Sequence, residues 1–190
     1  MMIMKIEKGK YGYLNLRHKT VALRTAAMLA FTLFLVLMGR VVMVQYGKVF
    51  IICAIISTIP AAMSAVNLIM FLRFKTGKTE TYEQIEAVKG NIPVLYDCVV
   101  TTDESSYGLN SIAVVNKNII GFSEYSGVDT QRLERYFSYI TKKSGFKNWN
   151  IKVFLDLDKY KNRLIYLNEK NVTANSADAE MLDLIKAISL

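Results

Sequence analysis

Cysteine, proline, histidine and tryptophan are all scarce in this chain of 190 residues, and the shortages remove whole classes of function. The two cysteines, Cys53 and Cys98, have no CxxC partners, which argues against a disulfide framework and against a zinc site. No other motif requires a cofactor. The one histidine, His18, lies just before a long apolar block, so the remainder of the chain has none for a Ser or Cys triad. A glycine-rich phosphate loop is also missing: Gly121 and Gly127 stand six apart with no Lys-Ser or Lys-Thr behind them. Acidic residues are nearly absent from residues 1–72, where Glu7 stands alone against eight Lys or Arg.

That last shortage locates the net charge of +8. Residues 1–72 carry +7, whereas residues 73–190 hold sixteen basic and fifteen acidic residues and carry only +1. A nucleic-acid-binding domain ordinarily has a basic stripe of its own. Here the excess belongs to the apolar N-terminal part, where it reads as a topology signal and an attraction to lipid headgroups, so nucleic acid is not the expected partner.

What the chain has in plenty is long hydrophobic runs. Val21 to Val44 is apolar with Arg24 and Arg40 near its ends, and Val49 to Leu72 carries no charge at all. Crossing ~30 Å of hydrocarbon takes about 20 mostly apolar residues, and the two arginines can snorkel to the interfaces. The connector Gln45-Tyr46-Gly47-Lys48 contains a glycine breaker, which predicts an antiparallel pair of spans. The N-terminal flank carries six Lys or Arg and the far flank adds Arg73, Lys75 and Lys78, against Arg40 and Lys48 at the connector. Retention of positive charge then puts both termini in the cytosol of a plasma-membrane protein. A cleaved signal peptide fits less well, since the first block is long for an h-region and no A-x-A site follows it. In the second span Ala54, Thr58 and Ala62, and Ser57, Ala61 and Ala65, form two ladders of small residues. They pack against the first span or serve self-association. Pro60 is expected to kink the span, and Asn67 is expected to face protein.

The expected organisation is a basic cytosolic N-terminus (1–20), a two-span hairpin (21–72) and a cytosolic domain (73–190). In the domain, Thr81 to Lys89 reads as a helix with capping-box spacing between Thr81 and Gln84 and Gly90 as its stop. Ile92 to Val100 reads as a strand, apolar on both faces apart from Asp97. Thr101 to Leu109 reads as a polar loop. Ser111–Val115 and Ile119–Ser123 flank Asn116-Lys117-Asn118, a hairpin signal. A helix capped by Asp129 follows, with Val128 and Leu133 as a staple, Leu133, Tyr136, Phe137 and Ile140 on one face, and Gly145 as its end. Ile151 to Leu155 is a strand. Asp158 to Asn168 reads as a helix through Tyr160, Leu164 and Leu167, with strand as the alternative. Asn175 or Ser176 caps a last helix bearing Met181, Leu184, Ile185 and Ile188. The fold class is thus a transmembrane hairpin plus a small α+β domain with a mixed sheet, in the order αβββαβαα.

Over residues 80–156 this order resembles the restriction-endonuclease-like fold, in its nuclease-related (NERD-type) branch. Leu109 to Val115 looks like the family's second strand and Ile119 to Ser126 like its third. The resemblance implies an Asp early in the second strand and a Glu-x-Lys ending the third. This chain has Asn110, Glu124 and Ser126 there. Such a nuclease needs clustered carboxylates to hold Mg²⁺ and a Lys to polarise the phosphate. With Glu124 alone, the resemblance implies a fold with a vestigial site.

Other candidates are weaker. Cys98, within an apolar strand, reads as a core residue. Asp156 and Asp158 have no third ligand and read as capping or solvated groups. Trp149 reads as a lid on the core or as an exposed anchor for a partner. The expected function is therefore non-enzymatic: a membrane-anchored protein whose cytosolic domain binds a partner protein or a small ligand, with the bilayer and possible self-association as its other contacts. The alternatives are a degenerate nuclease-like domain and a nucleotide-sensing membrane effector.

Overall fold

Two apolar helices come first. In the computed structural model α1 spans Tyr13–Val41 and α2 spans Val44–Leu72, 29 residues each, or about 40 Å at 1.5 Å per residue. The structure describes residues 7–41, 44–102, 105–170 and 175–189. Both helices are long and apolar enough to cross a membrane, and their most apolar windows are only 11% and 17% buried. They are therefore not core helices shielded by the rest of this chain. Leu29, Phe34, Ile55, Ile59 and Met63 all lie bare on the outside.

The contact between α1 and α2 is made by small and hydroxylated residues. Ala54, Ala61 and Ser64 are buried and Ser57 is half-buried, a seam at spacings of three and four. The Ser57 hydroxyl donates to Thr32 Oγ1 at 3.1 Å, and the Thr25 hydroxyl meets Ser64 Oγ at 3.0 Å. Ala65 is half-buried, whereas Thr58 and Ala62 are exposed. The two sequence ladders thus resolve into one seam. Asn67 corrects its expectation: it is exposed rather than turned to protein. The connector does too. Gln45 to Lys48 lies inside α2, and it is Gly39 of α1 that serves close approach there: a Cβ on Gly39 would stand 3.3 Å from the Gly47 carbonyl oxygen.

The second unit comprises residues 7–13 and Thr76–Ser189 of the described chain. Its elements are α3 (Thr79–Lys89), β1 (Val94–Thr101), β2 (Ser106–Val115), β3 (Asn118–Phe122), α4 (Thr130–Lys143), β4 (Asn150–Phe154), α5 (Leu157–Glu169) and α6 (Ser176–Ile188). The sheet order is β1-β2-β3-β4, with two antiparallel pairings and a parallel one between β3 and β4. This is the mixed-sheet αβββαβαα domain that the apolar periodicities predict.

The sheet is covered on both faces. Leu133 and Phe137 of α4 and Met181 and Ile185 of α6 pack with Leu95, Leu109, Ile112 and Val153 on one side. Ile85 of α3 and Tyr160, Leu164 and Leu167 of α5 pack with Tyr96, Ala113, Ile120 and Phe122 on the other. Burial on both faces explains why the strands read as unbroken apolar runs.

The caps are mostly the expected ones. Asp129 accepts the Arg132 N–H, and Asn175 forms a full capping box with Asp178. Asp156 caps α5 by accepting the Asp158 and Lys159 N–H groups. Asn116 and Lys117 turn the β2–β3 hairpin with φ of 44° and 58°. Two expectations are corrected. The segment read as a loop over Thr101 to Leu109 is strand from Ser106 onward, because Tyr107 and Leu109 fill the core opposite Val100 and Cys98; residues 103–104 lie outside the described chain. At α3 no capping box forms, since the Thr81 hydroxyl is engaged elsewhere.

Candidate functional site

Regular strands alternate their faces, and β1 and β2 break that alternation together. Leu95 faces the α4/α6 side and Tyr96 the α3/α5 side, yet Cys98 and Val100 face α4/α6 again. On β2, Leu109 and Ile112 share the α4/α6 face although they stand three positions apart. The pairing register is the same before and after the break, so each strand has absorbed one extra residue. Those residues are Asp97, at φ 53°, and its opposite number Asn110, the one pair missing from the ladder. A left-handed backbone is tolerable for Asp because its short polar side chain bonds locally.

The break gathers polar groups. Asp97 is 2% exposed, and its Oδ2 accepts from the Gly12 N–H and from the Thr76 hydroxyl, each at 2.8 Å. Gly12 precedes α1 and Thr76 precedes α3, so one carboxylate holds both segments through which the chain leaves the sheet unit and returns to it. Beside it, buried Asn110 accepts the Glu124 N–H at 2.7 Å. Glu124 Oε1 accepts the Thr81 hydroxyl at 2.5 Å and Oε2 the Lys78 N–H at 3.4 Å. Gly77 lies so close that a Cβ there would stand 2.7 Å from Asn110 Nδ2. The Tyr11 hydroxyl lies 3.0 Å from both the Gly77 carbonyl and Thr79 Oγ1, and its ring stacks on Tyr82 at 4.2 Å. Gly9 lends its carbonyl to the Tyr96 N–H.

Of the three positions singled out by sequence, Asn110 and Glu124 are brought together. Ser126 lies apart, exposed in the turn before α4, and makes no hydrogen bond to either. Asp97, Gly12, Thr76, Gly77 and Thr81 escaped the sequence reading as site residues. The available signal was a single acid inside an otherwise apolar strand.

Among the described residues, no group of three or more His, Cys, Asp or Glu could hold a metal ion. Tyr96 donates to Glu86 Oε1 at 2.6 Å; burial first, and then that bond, push its phenol well above its ordinary range. The Cys98 thiol is pushed up to about 12, by burial first and then by the neighbouring Asp97 carboxylate. Folding therefore favours the protonated thiol. That contribution to stability is full below pH ~8.5 and declines as the pH rises toward about 12. In a Cys53→Ser background, native protein at pH 8 is expected to leave Cys98 unlabelled by a water-soluble maleimide until denaturant is added. Labelling of the folded protein at the rate of a free thiol would show that β1 is open.

No family model, curated protein or solved structure matches the chain.

Proposed function

We propose that the protein is a non-enzymatic, membrane-anchored binding protein. On this reading α1 and α2 cross the plasma membrane as a hairpin, with both termini on the cytosolic side. The sheet domain engages a partner there. The bare apolar exterior of the two helices and the asymmetry of Lys and Arg about them support the anchor and its orientation.

The observation that carries the non-enzymatic reading is how the polar groups of the site are used. A catalytic carboxylate must present lone pairs to a metal, a proton or a substrate. The Glu124 carboxylate already accepts from Thr81 and Lys78, and Asn110, where a second carboxylate would be needed to hold a metal, holds the Glu124 backbone. These residues fasten the start of α3 to the end of β3. A degenerate nuclease-like domain is the second reading. It is supported by the helix–three strands–helix–strand order and by the adjacency of Asn110 and Glu124.

Full-length protein in lipid nanodiscs, incubated with Mg²⁺ or Mn²⁺ and labelled single- and double-stranded DNA and RNA, is expected to cleave none of them. Metal-dependent cleavage that disappears in Glu124→Ala would overturn the proposal in favour of the nuclease.

A further inference from the structure

Asn67 is a polar side chain that the helical pair leaves on its outside, and its neighbours give that exposure a purpose. Two contacts fix the register of α1 against α2. Thr25 Oγ1 meets Ser64 Oγ at 3.0 Å, and the His18 ring meets Phe71 edge-on with centroids 6.3 Å apart. The helices are thus antiparallel, and steps back along α1 match steps forward along α2. Arg17 and Arg24 each stand one residue before a member of that seam, so at about 100° per residue both turn to the same flank of α1. Asn67 stands three residues past Ser64, about 60° short of a full turn. Because α2 runs the opposite way, that displacement turns Asn67 to the same flank as the two arginines. Lys19, one residue after His18, turns to the other flank. All four are exposed. The side chains of Arg17, Arg24 and Asn67 have no hydrogen bond or ion pair among the described residues, and neither helix contains an acid that could supply one.

Depth selects the occupant. Arg24 and Arg40 bound an uncharged stretch of about 24 Å at 1.5 Å per residue, shorter than the ~30 Å of hydrocarbon. Arg24 therefore starts about 3 Å inside the apolar slab, with Asn67 about 3 Å and Arg17 about 10 Å nearer the headgroups. A lipid phosphate sits across that interval. A guanidinium grips phosphate oxygens through two parallel N–H groups, and the Asn67 amide adds a donor that would be costly to leave bare among acyl chains. A second copy of the hairpin is the rival occupant. It would bring two more arginines and no acid to the same place, so like charges oppose it.

We propose that Arg17, Arg24 and Asn67 form a notch that holds the phosphate of an anionic phospholipid in the leaflet on the side of the two termini. Arg17 takes the phosphate from the water side, Arg24 snorkels up to it and the Asn67 amide reaches it from α2. Phosphatidylcholine offers the same phosphate beside a quaternary ammonium, which two guanidinium groups repel, so the notch prefers phosphatidylglycerol. This rests on the reading of α1 and α2 as membrane spans and adds a lipid ligand at a defined place on them.

The test uses the full-length protein. Alkaline carbonate extraction of its proteoliposomes checks the anchor, and release into the supernatant would sink the spans and the notch with them. Protein in nanodiscs of equal parts phosphatidylcholine and phosphatidylglycerol is then released in a native mass spectrometer, and the lipids that stay bound are counted. Retained phosphatidylglycerol is expected to exceed phosphatidylcholine at least fivefold. Arg24→Gln and Asn67→Leu are each expected to lower that ratio at least threefold. Lys19→Gln removes the same charge from the other flank and is expected to leave the ratio unchanged. Asn67→Leu changes no charge, so its effect separates a built notch from diffuse attraction. Equal retention of the two lipids, an equal fall in Lys19→Gln and Arg24→Gln, or a ratio untouched by Asn67→Leu would each overturn the notch and leave the spans standing. Dimers that disappear in Asn67→Leu would overturn it in favour of a second copy. A ratio that collapses on addition of inorganic phosphate, and not of sodium chloride at the same ionic strength, would overturn it in favour of the free anion.

Discussion

Replacing Asp97 with alanine is expected to cost about 4 kcal/mol and to lower the unfolding midpoint of the sheet domain by more than about 10 °C. Two charge-assisted hydrogen bonds are lost, each worth about 1.5–3 kcal/mol, and the Gly12 N–H and Thr76 hydroxyl lose their acceptor. Alanine must also hold φ near 53°, which costs an L-residue without a bonding side chain about 1 kcal/mol. Conversion of the sum to a midpoint follows the usual entropy of unfolding for a domain of this size. Asp97→Asn keeps the left-handed tolerance and one acceptor, and should lose about half as much. Thr76→Val removes one bond and should lose about 1–2 kcal/mol. Unfolding of the full-length protein in mild detergent, followed by Trp149 fluorescence, orders the three. A midpoint for Asp97→Ala within about 2 °C of the parent would show that the carboxylate is not the fastening.

The importance of Asp97 lies on the link between sequence and strand geometry, and that link was only half legible. Helix positions came through well because amphipathic spacing and caps are local: Asp129, Asn175 and the Tyr160–Leu164–Leu167 face all sit where the pattern places them. The sheet order was accessible as mixed, since an Asn-Lys hairpin turn and a later strand across a helix force one antiparallel and one parallel partner. The phase break left one sign, the lone acid Asp97 in an apolar strand, and the change of alternation around it could not be read. With apolar residues on both faces, a shift of one position between Tyr96 and Cys98 leaves no trace in the pattern. The same blindness turned Ser106 to Leu109 into a loop, because its strand character comes from pairing with Val100 and Thr101 and not from its own composition. In the helical pair the small residues were visible, but the seam among them was fixed only by the partner helix, through Thr25 and Thr32.

Asp178 carries the other large effect, and alanine there is expected to cost about 3–5 kcal/mol. The residue is fully buried at 0% exposure, and its carboxylate serves two distant pieces of backbone. Oδ2 accepts the Asn116 N–H at 2.9 Å and the Asn175 N–H at 3.0 Å, while Oδ1 accepts the Lys117 N–H at 3.2 Å. Two of those donors belong to the left-handed β2–β3 turn, and the third starts α6. Alanine would strand buried N–H groups, the expensive half of a broken hydrogen bond. Asp178→Asn should recover the two bonds of one oxygen and set its amide against the Lys117 N–H, for about half the cost. The cap alone is worth about 1 kcal/mol, so Asn175→Ala, which removes the partner side chain and leaves Asp178 in place, isolates that share. Hydrogen exchange separates the two roles. In Asp178→Ala the Asn116 and Lys117 amides are expected to exchange much faster, whereas in Asn175→Ala they stay protected. Equal exchange at Asn116 and Lys117 in the two variants would mean that Asp178 supports only the helix and that the turn stands on its own asparagine and lysine conformations.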